Sequence, residues 1–374
     1  MKLFKSLLVA PATIGLLAPL STFASEADLS DISKYSNLEN IDLANAFVDD
    51  EQKYNSLLAG GEGLVESDSF DGGFSETTTA SFSVDASVGA IDGDSTTEAT
   101  VFEYQFNIGL STSFTGEDSL DIAIDSGSDS AATNDNPFGF DTGAALSVDG
   151  VAYSFPLGGV SMVVGADTDI SSVFTGACTY SAFTDYMSKC GTDLSLDVAG
   201  GGFTVAGSYA FDSGFSLAAG VSGTSDSSNG LMTKEGADFY GIEAAYTADS
   251  WGVAIAFASD DNAGSAETTY WGGNANYSFD FADFSVGFET EETSGTEKSG
   301  YFFGLTFPEV GPGSVSIAAG TSGNTHSSET EYMIYEASYS YPVNDGLTIT
   351  PGVFVEEKSG DDLTGVMVKS SFSF

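Results

Sequence analysis

From about Thr79 to the C-terminus, apolar and polar residues alternate with a period of two, interrupted at intervals by Gly, Asp, Asn and Pro. The run "ASFSVDASVGA" sets Phe82, Val84, Ala86 and Val88 on one face and Ser81, Ser83, Asp85 and Ser87 on the other. "VFEYQFNIGL" opposes Phe102, Tyr104, Phe106, Ile108 and Leu110 to Glu103, Gln105, Asn107 and Gly109. Two such runs meet at Gly158-Gly159 in "YSFPLGGVSMVVGAD". This is the pattern of β-hairpins with one face against something apolar and the other against water. Residues 25–71 read differently. Ile32, Tyr35, Leu38, Ile41 and Leu43 recur at roughly helical spacing after Ser30, which suits an N-cap, so a short helical or partly disordered segment is expected.

Alternation alone does not say whether the apolar face meets a second sheet, as in a soluble sandwich, or lipid, as in a barrel. Connection lengths do. Tight turns fall at Phe114–Asp118, Phe155–Gly159, Phe211–Phe215, Thr247–Trp251, Asp280–Asp283, Pro308–Gly313 and Pro342–Gly346. Generally longer polar loops fall at Asp92–Glu98, Ser126–Thr142, Thr168–Thr192, Ser222–Gly236, Ser259–Ala266, Glu291–Ser299, Thr321–Glu331 and Glu356–Asp362. Seven turns and eight loops alternate strictly, which makes sixteen strands. Outer-membrane barrels sort their connections in this way, with turns on the periplasmic side and loops outside, and a sandwich has no reason to. The expected fold is therefore all-β: a transmembrane antiparallel up-and-down β-barrel of about 16 strands over residues 72–374, preceded by the N-terminal segment.

The first 24 residues carry Lys2 and Lys5, an apolar run from Leu7 to Leu20, and "STFA" with Thr22 and Ala24 placed for a signal peptidase. This is a cleavable secretory signal, 1–24, leaving 25–71 as a periplasmic segment. Pro11 and Pro19 break a run that is already short for a spanning helix, and no later run approaches that length. Composition agrees with a barrel: 45 Gly, 16 Tyr and 29 Phe against 8 Pro suit many short strands with aromatic girdles.

The chain has 55 acidic residues and 9 basic ones, a net charge of −46, and removing Lys2 and Lys5 takes it to −48. Nucleic acid and anionic headgroups are excluded as partners, because both need basic patches. All nine cations are lysine, so bidentate arginine clamps are excluded too. Much of the acid lies in Ser/Gly-rich runs such as "DSGSDSAATNDN", the composition of hydrated loops. On the strands, Glu103, Glu243, Glu336 and Lys369 hold the polar phase and should face the lumen, where a surplus of carboxylates would concentrate cations.

Little else could carry chemistry. His326, the single histidine, lies in the loop-like "SGNTHSSETE"; catalysis beside Ser327 or Glu329 would need an ordered, partly buried imidazole. No catalytic residue, metal site or cofactor is expected, and "SDDNAG" has no calcium-loop spacing. Cys178 and Cys190 are the only cysteines. In an exported chain they read as a disulfide around "TYSAFTDYMSK", worth on the order of 3 kcal/mol in the chain-entropy model, and no second pair or nearby histidine supports a metal.

Residues 111–167 go beyond generic pattern. "STSFTGEDSLDIAIDSG" followed by "ALSVDGVAYSFPLGGVSMVVGAD" resembles the core of cyanobacterial outer-membrane porins, related to the carbohydrate-selective porins. The match rests on Thr112–Asp118 and Tyr153–Gly159, and the opening "MKLFKSLLVAPATIGLLAPL" is similar to that family's leader. Two features depart from it. Residues 25–71 are too short for a surface-layer-homology domain, and Glu117 stands where a lysine is common. The resemblance implies an outer-membrane channel for passive diffusion of ions and small hydrophilic solutes, a homotrimer, and lipid around the wall. The ending "GVMVKSSFSF", which stops on an aromatic in mid-strand, resembles the signal read by the barrel assembly machinery. Counted from a periplasmic N-terminus, Thr168–Thr192 is the third external loop, which in many general porins folds inward and narrows the pore. Asp185, Lys189 and Asp193 are then the charged residues nearest a constriction; a rigid external loop away from the pore is the other reading. The competing function is a soluble secreted or surface-associated β protein used for adhesion or coating, without channel activity.

Overall fold

A computed structural model describes residues 78–93, 96–128, 137–138, 140, 143–185, 202–223, 236–261, 266–323 and 325–374. The leader 1–24, the segment 25–71, Lys189, Cys190 and Asp193 lie outside these residues.

The strands are β1 (Thr78–Gly93), β2 (Thr96–Thr112), β3 (Ser119–Gly127), β4 (Ser147–Leu157), β5 (Val160–Thr168), β6 (Gly202–Ala210), β7 (Phe215–Gly223), β8 (Asp238–Thr247) and β9 (Trp251–Asp261). They continue as β10 (Thr268–Ser278), β11 (Asp283–Thr293), β12 (Thr296–Val310), β13 (Gly313–Thr321), β14 (Thr325–His326), β15 (Met333–Asn344), β16 (Leu347–Glu356) and β17 (Leu363–Ser373). β14 is a two-residue strip on β12, and β13 pairs directly with β15. The other sixteen form an antiparallel meander that closes when β17 pairs with β1, from Ser83 opposite Ser373 to Asp92 opposite Thr364. The expected sixteen-stranded barrel is what the chain forms. Sixteen strands at about 4.8 Å spacing and about 40° tilt give a diameter of roughly 30 Å.

The two phases separate as the alternation predicts. Phe102, Ile242, Ile255, Trp271, Phe288 and Val366 remain exposed on the outside. Their neighbours in the other phase, among them Glu103, Glu243, Asn274, Ser285 and Met367, are buried. All seven expected turns lie between consecutive strands. Two expected loops do not exist as such. Around Asp92–Glu98, β1 runs to Gly93 and β2 starts at Thr96; at Glu291–Ser299, β11 and β12 join through Ser294-Gly295, whose φ values of 55° and 77° are those of a tight hairpin turn. The polar ends of these strands looked like loop because alternation holds only where one face is kept dry. Beyond that band, cross-strand charge pairs such as Lys298–Glu291 at 3.1 Å decorate the ladder instead.

His326 is likewise not in open loop: it pairs with Lys298 across β12 and β14, and its Nδ1 lies 2.6 Å from Ser328 Oγ. The two stretches that carry the family resemblance meet in space. Asp118 Oδ1 accepts from Ser113 Oγ, Phe114 N–H and Thr115 N–H at 2.8–2.9 Å, and Oδ2 accepts from the Tyr153 hydroxyl at 2.6 Å. The Tyr153 bond, with the Thr115 and Ser113 donors, holds the Asp118 carboxyl well below the usual carboxylate range. A depressed folded value contributes stability above the ordinary carboxylate range that is lost only as pH falls through the lower folded value. Asp118→Asn should therefore lower the unfolding midpoint at pH 7 and still do so at pH 4, with the gap to wild type closing only at more acid pH. A variant that melts with wild type at pH 7 would show that this carboxylate does not brace the turn.

Candidate functional site

Between Ile170 and Thr184 the sequence "ISSVFTGACTYSAFT" contains no Asp, Glu, Lys or Arg, in a chain with 55 acidic residues. This segment follows β5. A register break between Gly165 and Thr168, with Asp167 at φ 50°, turns the backbone off the wall. A single turn of 3₁₀ helix, Ile170–Val173, then buries Ile170 and Val173 against Val163, Ala206, Ala218, Phe239 and Tyr270, residues of β5 through β10.

The chain next runs extended, and extended backbone points the N–H groups of alternate residues the same way. Thr175, Ala177 and Thr179 donate in turn to Glu243 Oε1 on β8 at 2.7 Å, Asn274 Oδ1 on β10 at 2.8 Å and Ser285 Oγ on β11 at 3.1 Å. At its far end the segment settles on Glu336 of β15. Oε1 accepts from the Tyr180 hydroxyl at 2.9 Å and Phe183 N–H at 2.7 Å; Oε2 accepts from the N–H and Oγ1 of Thr184, both at 2.9 Å. Burial, and then the charge of Glu336, push the Tyr180 phenol far above its ordinary range, so it remains a donor at any physiological pH. Phe183 packs with Ile91, Val101, Phe354, Leu363 and Met367 of β1, β2, β16 and β17, and meets Phe138 edge-on at 5.3 Å. Asp185 N–H donates to the Pro137 carbonyl at 2.6 Å.

One short segment thus touches β5–β10 at its start and β15–β2 at its end, on the face opposite the exposed aromatics. Only a path through the barrel interior does this. The wall makes room with glycine: a Cβ at Gly304 would lie 2.6 Å from ring atoms of Phe302 and Tyr180, and one at Gly352 2.5 Å from the Phe183 ring. Thr175, Gly176, Thr179 and Ser181 stay exposed, so the uncovered surface is hydroxyl and peptide.

The sequence-predicted residues separate accordingly. Glu243 and Glu336 lie on the inner phase of their strands and do not stand bare in the lumen. At 2 % and 4 % exposure they lie under the segment and serve as its acceptors, because extended backbone crossing a wall must find partners for its N–H groups. Glu103 is also on the inner phase and 1 % exposed. Lys369 is inward and half-buried, opposite Ser87 and Thr350. Asp185 is at the segment's end, where burial raises its carboxyl to about 6. Lys189 and Asp193 lie outside the described residues. So does Cys190, and no cysteine among the described residues is free. The acceptors Asn274 and Ser285 were not anticipated, although both are polar residues of the inner phase. The signal for the segment itself was its lack of charge.

No family model and no curated protein matches the sequence. Solved structures match in fold. OprB of Pseudomonas putida, in a high-pH structure, superposes with TM-score 0.66 at 10% identity over 80% of this chain and 94% of that one. An anion-selective porin from Comamonas acidovorans gives 0.57 at 12% identity, over 80% and 99%. A loop-deletion mutant of OmpT, an outer membrane protein of Vibrio cholerae, gives 0.55 at 11% identity, over 80% and 100%. The barrel has a porin-like fold.

Removing Glu336 would leave buried donors without an acceptor, at about 1–3 kcal/mol each. Glu336→Ala should therefore speed exchange of the Phe183 and Thr184 amides by at least about tenfold, with Glu336→Gln intermediate. Unchanged protection in hydrogen exchange would mean that the apolar contacts of Phe183 alone seat the segment.

Proposed function

We propose that the protein is an outer-membrane porin: a water-filled channel for passive diffusion of ions and small hydrophilic solutes, narrowed by the segment 170–185. The observation that carries this reading is the segment's path through the interior of a sixteen-stranded barrel whose outer wall is apolar. The expected leader over 1–24 delivers the chain to the outer membrane, where the assembly machinery reads its aromatic C-terminal strand. A homotrimer and kinship with the cyanobacterial, carbohydrate-selective porins follow from the resemblance of residues 111–167. Porins are channels, and the reading assigns no enzymatic step.

A cation preference belongs to the ends of the channel more than to its waist. Glu291, Glu292, Glu297 and Glu357 lie at or just past strand ends and are not buried. Acid at a mouth raises the local concentration of cations. A Cys178–Cys190 disulfide would stiffen the stretch that follows the segment. The purified protein in planar bilayers should give discrete conductance steps with a cation-selective reversal potential in a KCl gradient, and reduction should increase open-channel noise. Anion selectivity would discard the acidic-mouth argument, and absence of steps from correctly inserted protein would discard the channel.

The soluble coat-protein alternative predicts a wetted outer wall. Ile255 is 53% exposed in the outward phase of β9, near mid-strand. In lipid, Ile255→Lys should destabilise refolded protein by about 2–4 kcal/mol, as lysine does at a bilayer midplane. An unchanged denaturant midpoint in bilayers would favour the soluble alternative.

A further inference from the structure

Three of the described residues are lysine, and the fold uses them differently. Lys298 pairs with Glu291 at 3.1 Å and Lys358 with Glu356 at 2.8 Å, near the loop ends of β12 and β16. Lys369 on β17 has neither an ion pair nor a hydrogen bond among the described residues.

Strand pairing fixes its place. One inward position toward the loops lie Met367 on β17 and Gly352 on β16, which face each other. Met367 is 1 % exposed in the cluster that holds Phe183, and a Cβ at Gly352 would lie 2.5 Å from the Phe183 ring. Lys369 and its partner Thr350 come one inward position nearer the turns. The lysine therefore stands immediately below the tip of the interior segment, on its turn side. Around it the inner wall is hydroxyl: Ser87 faces it from β1, Thr350 from β16, and Ser371 is the next inward residue on β17. The carboxylates of this sector are Asp85, which lies opposite Ser371 and accepts its hydroxyl, and Glu103 on β2, which is 1 % exposed. Neither forms an ion pair with Lys369.

An ammonium without a partner in the fold must keep its hydration, and a half-buried lysine does so by laying its stem on the wall and reaching water with its head. On the inner phase of a closed barrel, that water is the lumen. The segment beside it turns Thr175, Gly176, Thr179 and Ser181 to open space, groups without a formal charge. A charged solute at this level is therefore sorted by the wall. We propose that Lys369 sets the sign preference of the constriction: it favours anions there and pairs in passing with the carboxylate or phosphate end of a small solute. The proposal rests on the channel reading and adds to it that waist and mouths select in opposite senses.

The test is the reversal potential of the full chain in planar bilayers under a KCl gradient. Lys369→Gln should raise the potassium-to-chloride permeability ratio by about twofold or more, the effect of one charge close to the ion in screened water. Lys369→Arg, which keeps the charge, should match wild type, and Lys369→Glu should exceed Lys369→Gln. A merely structural role would not order selectivity by charge in this way. Lys369→Met carries the test if Lys369→Gln does not assemble. Conductance steps with one and the same reversal potential in wild type, Lys369→Gln and Lys369→Glu would overturn the proposal and leave the channel standing. Absence of steps from correctly inserted wild type would discard the channel, and the proposal with it.

Discussion

Pairing of β17 with β1 is the constraint on which everything else rests. An open sheet of this length would leave two rows of backbone N–H and C=O groups unpaired, and its apolar face would have nothing to pack against. Closure removes the edges and divides the side chains at one stroke into an outer wall and an inner one. Once that is fixed, a one-residue slip anywhere would send Glu243 or Glu336 outward and Ile242 or Tyr335 inward, so the register of each strand is held by its neighbours.

The inner wall then faces a second problem of satisfaction. A segment leaving β5 must carry its own peptide groups through the interior, and a wall lined only with Ala and Gly could not receive them. Glu243, Asn274, Ser285 and Glu336 supply acceptors on β8, β10, β11 and β15, spaced to meet the alternate N–H groups of Thr175, Ala177 and Thr179 and then the turn at Phe183–Thr184. Carboxylates suit this task because charge-assisted bonds to N–H groups are stronger than neutral ones. Apolar clusters around Ile170 and Phe183 grip the two ends, so polar and apolar contacts fix the same path.

How much of this could be read beforehand follows from what is local. Period two, Gly-rich turns and the sorting of connections are local properties, and they located seven turns and sixteen strands. The phase of Glu243 and Glu336 along their strands is local as well. Their burial is not, because it depends on residues 68 and about 150 positions away in sequence folding over them. The reach of β1 to Gly93 and of β2 from Thr96, and the hairpin at Thr293–Thr296, were hidden for a different reason: strands that rise past the apolar band lose the contrast that makes alternation visible. The Asp118–Tyr153 bond joins two stretches that were singled out separately, yet nothing in either letter string says that one caps the other.

The distribution of charge follows from the same geometry. Acid in a lumen is usually taken as acid presented to solute, but here Glu243 and Glu336 are covered by the segment and occupied as its acceptors. The segment itself is neutral from Ile170 to Thr184 and turns Thr175, Gly176, Thr179 and Ser181 toward open space. A solute at that level meets hydroxyl and peptide groups, which hydrogen-bond without regard to sign. Exposed acid such as Glu292 and Glu297 lies at strand ends, where water screens it within about 8 Å at physiological ionic strength. On the channel reading proposed above, acid at the mouths would bias entry while the neutral segment sets the width, so sign preference and size limit would rest on different residues.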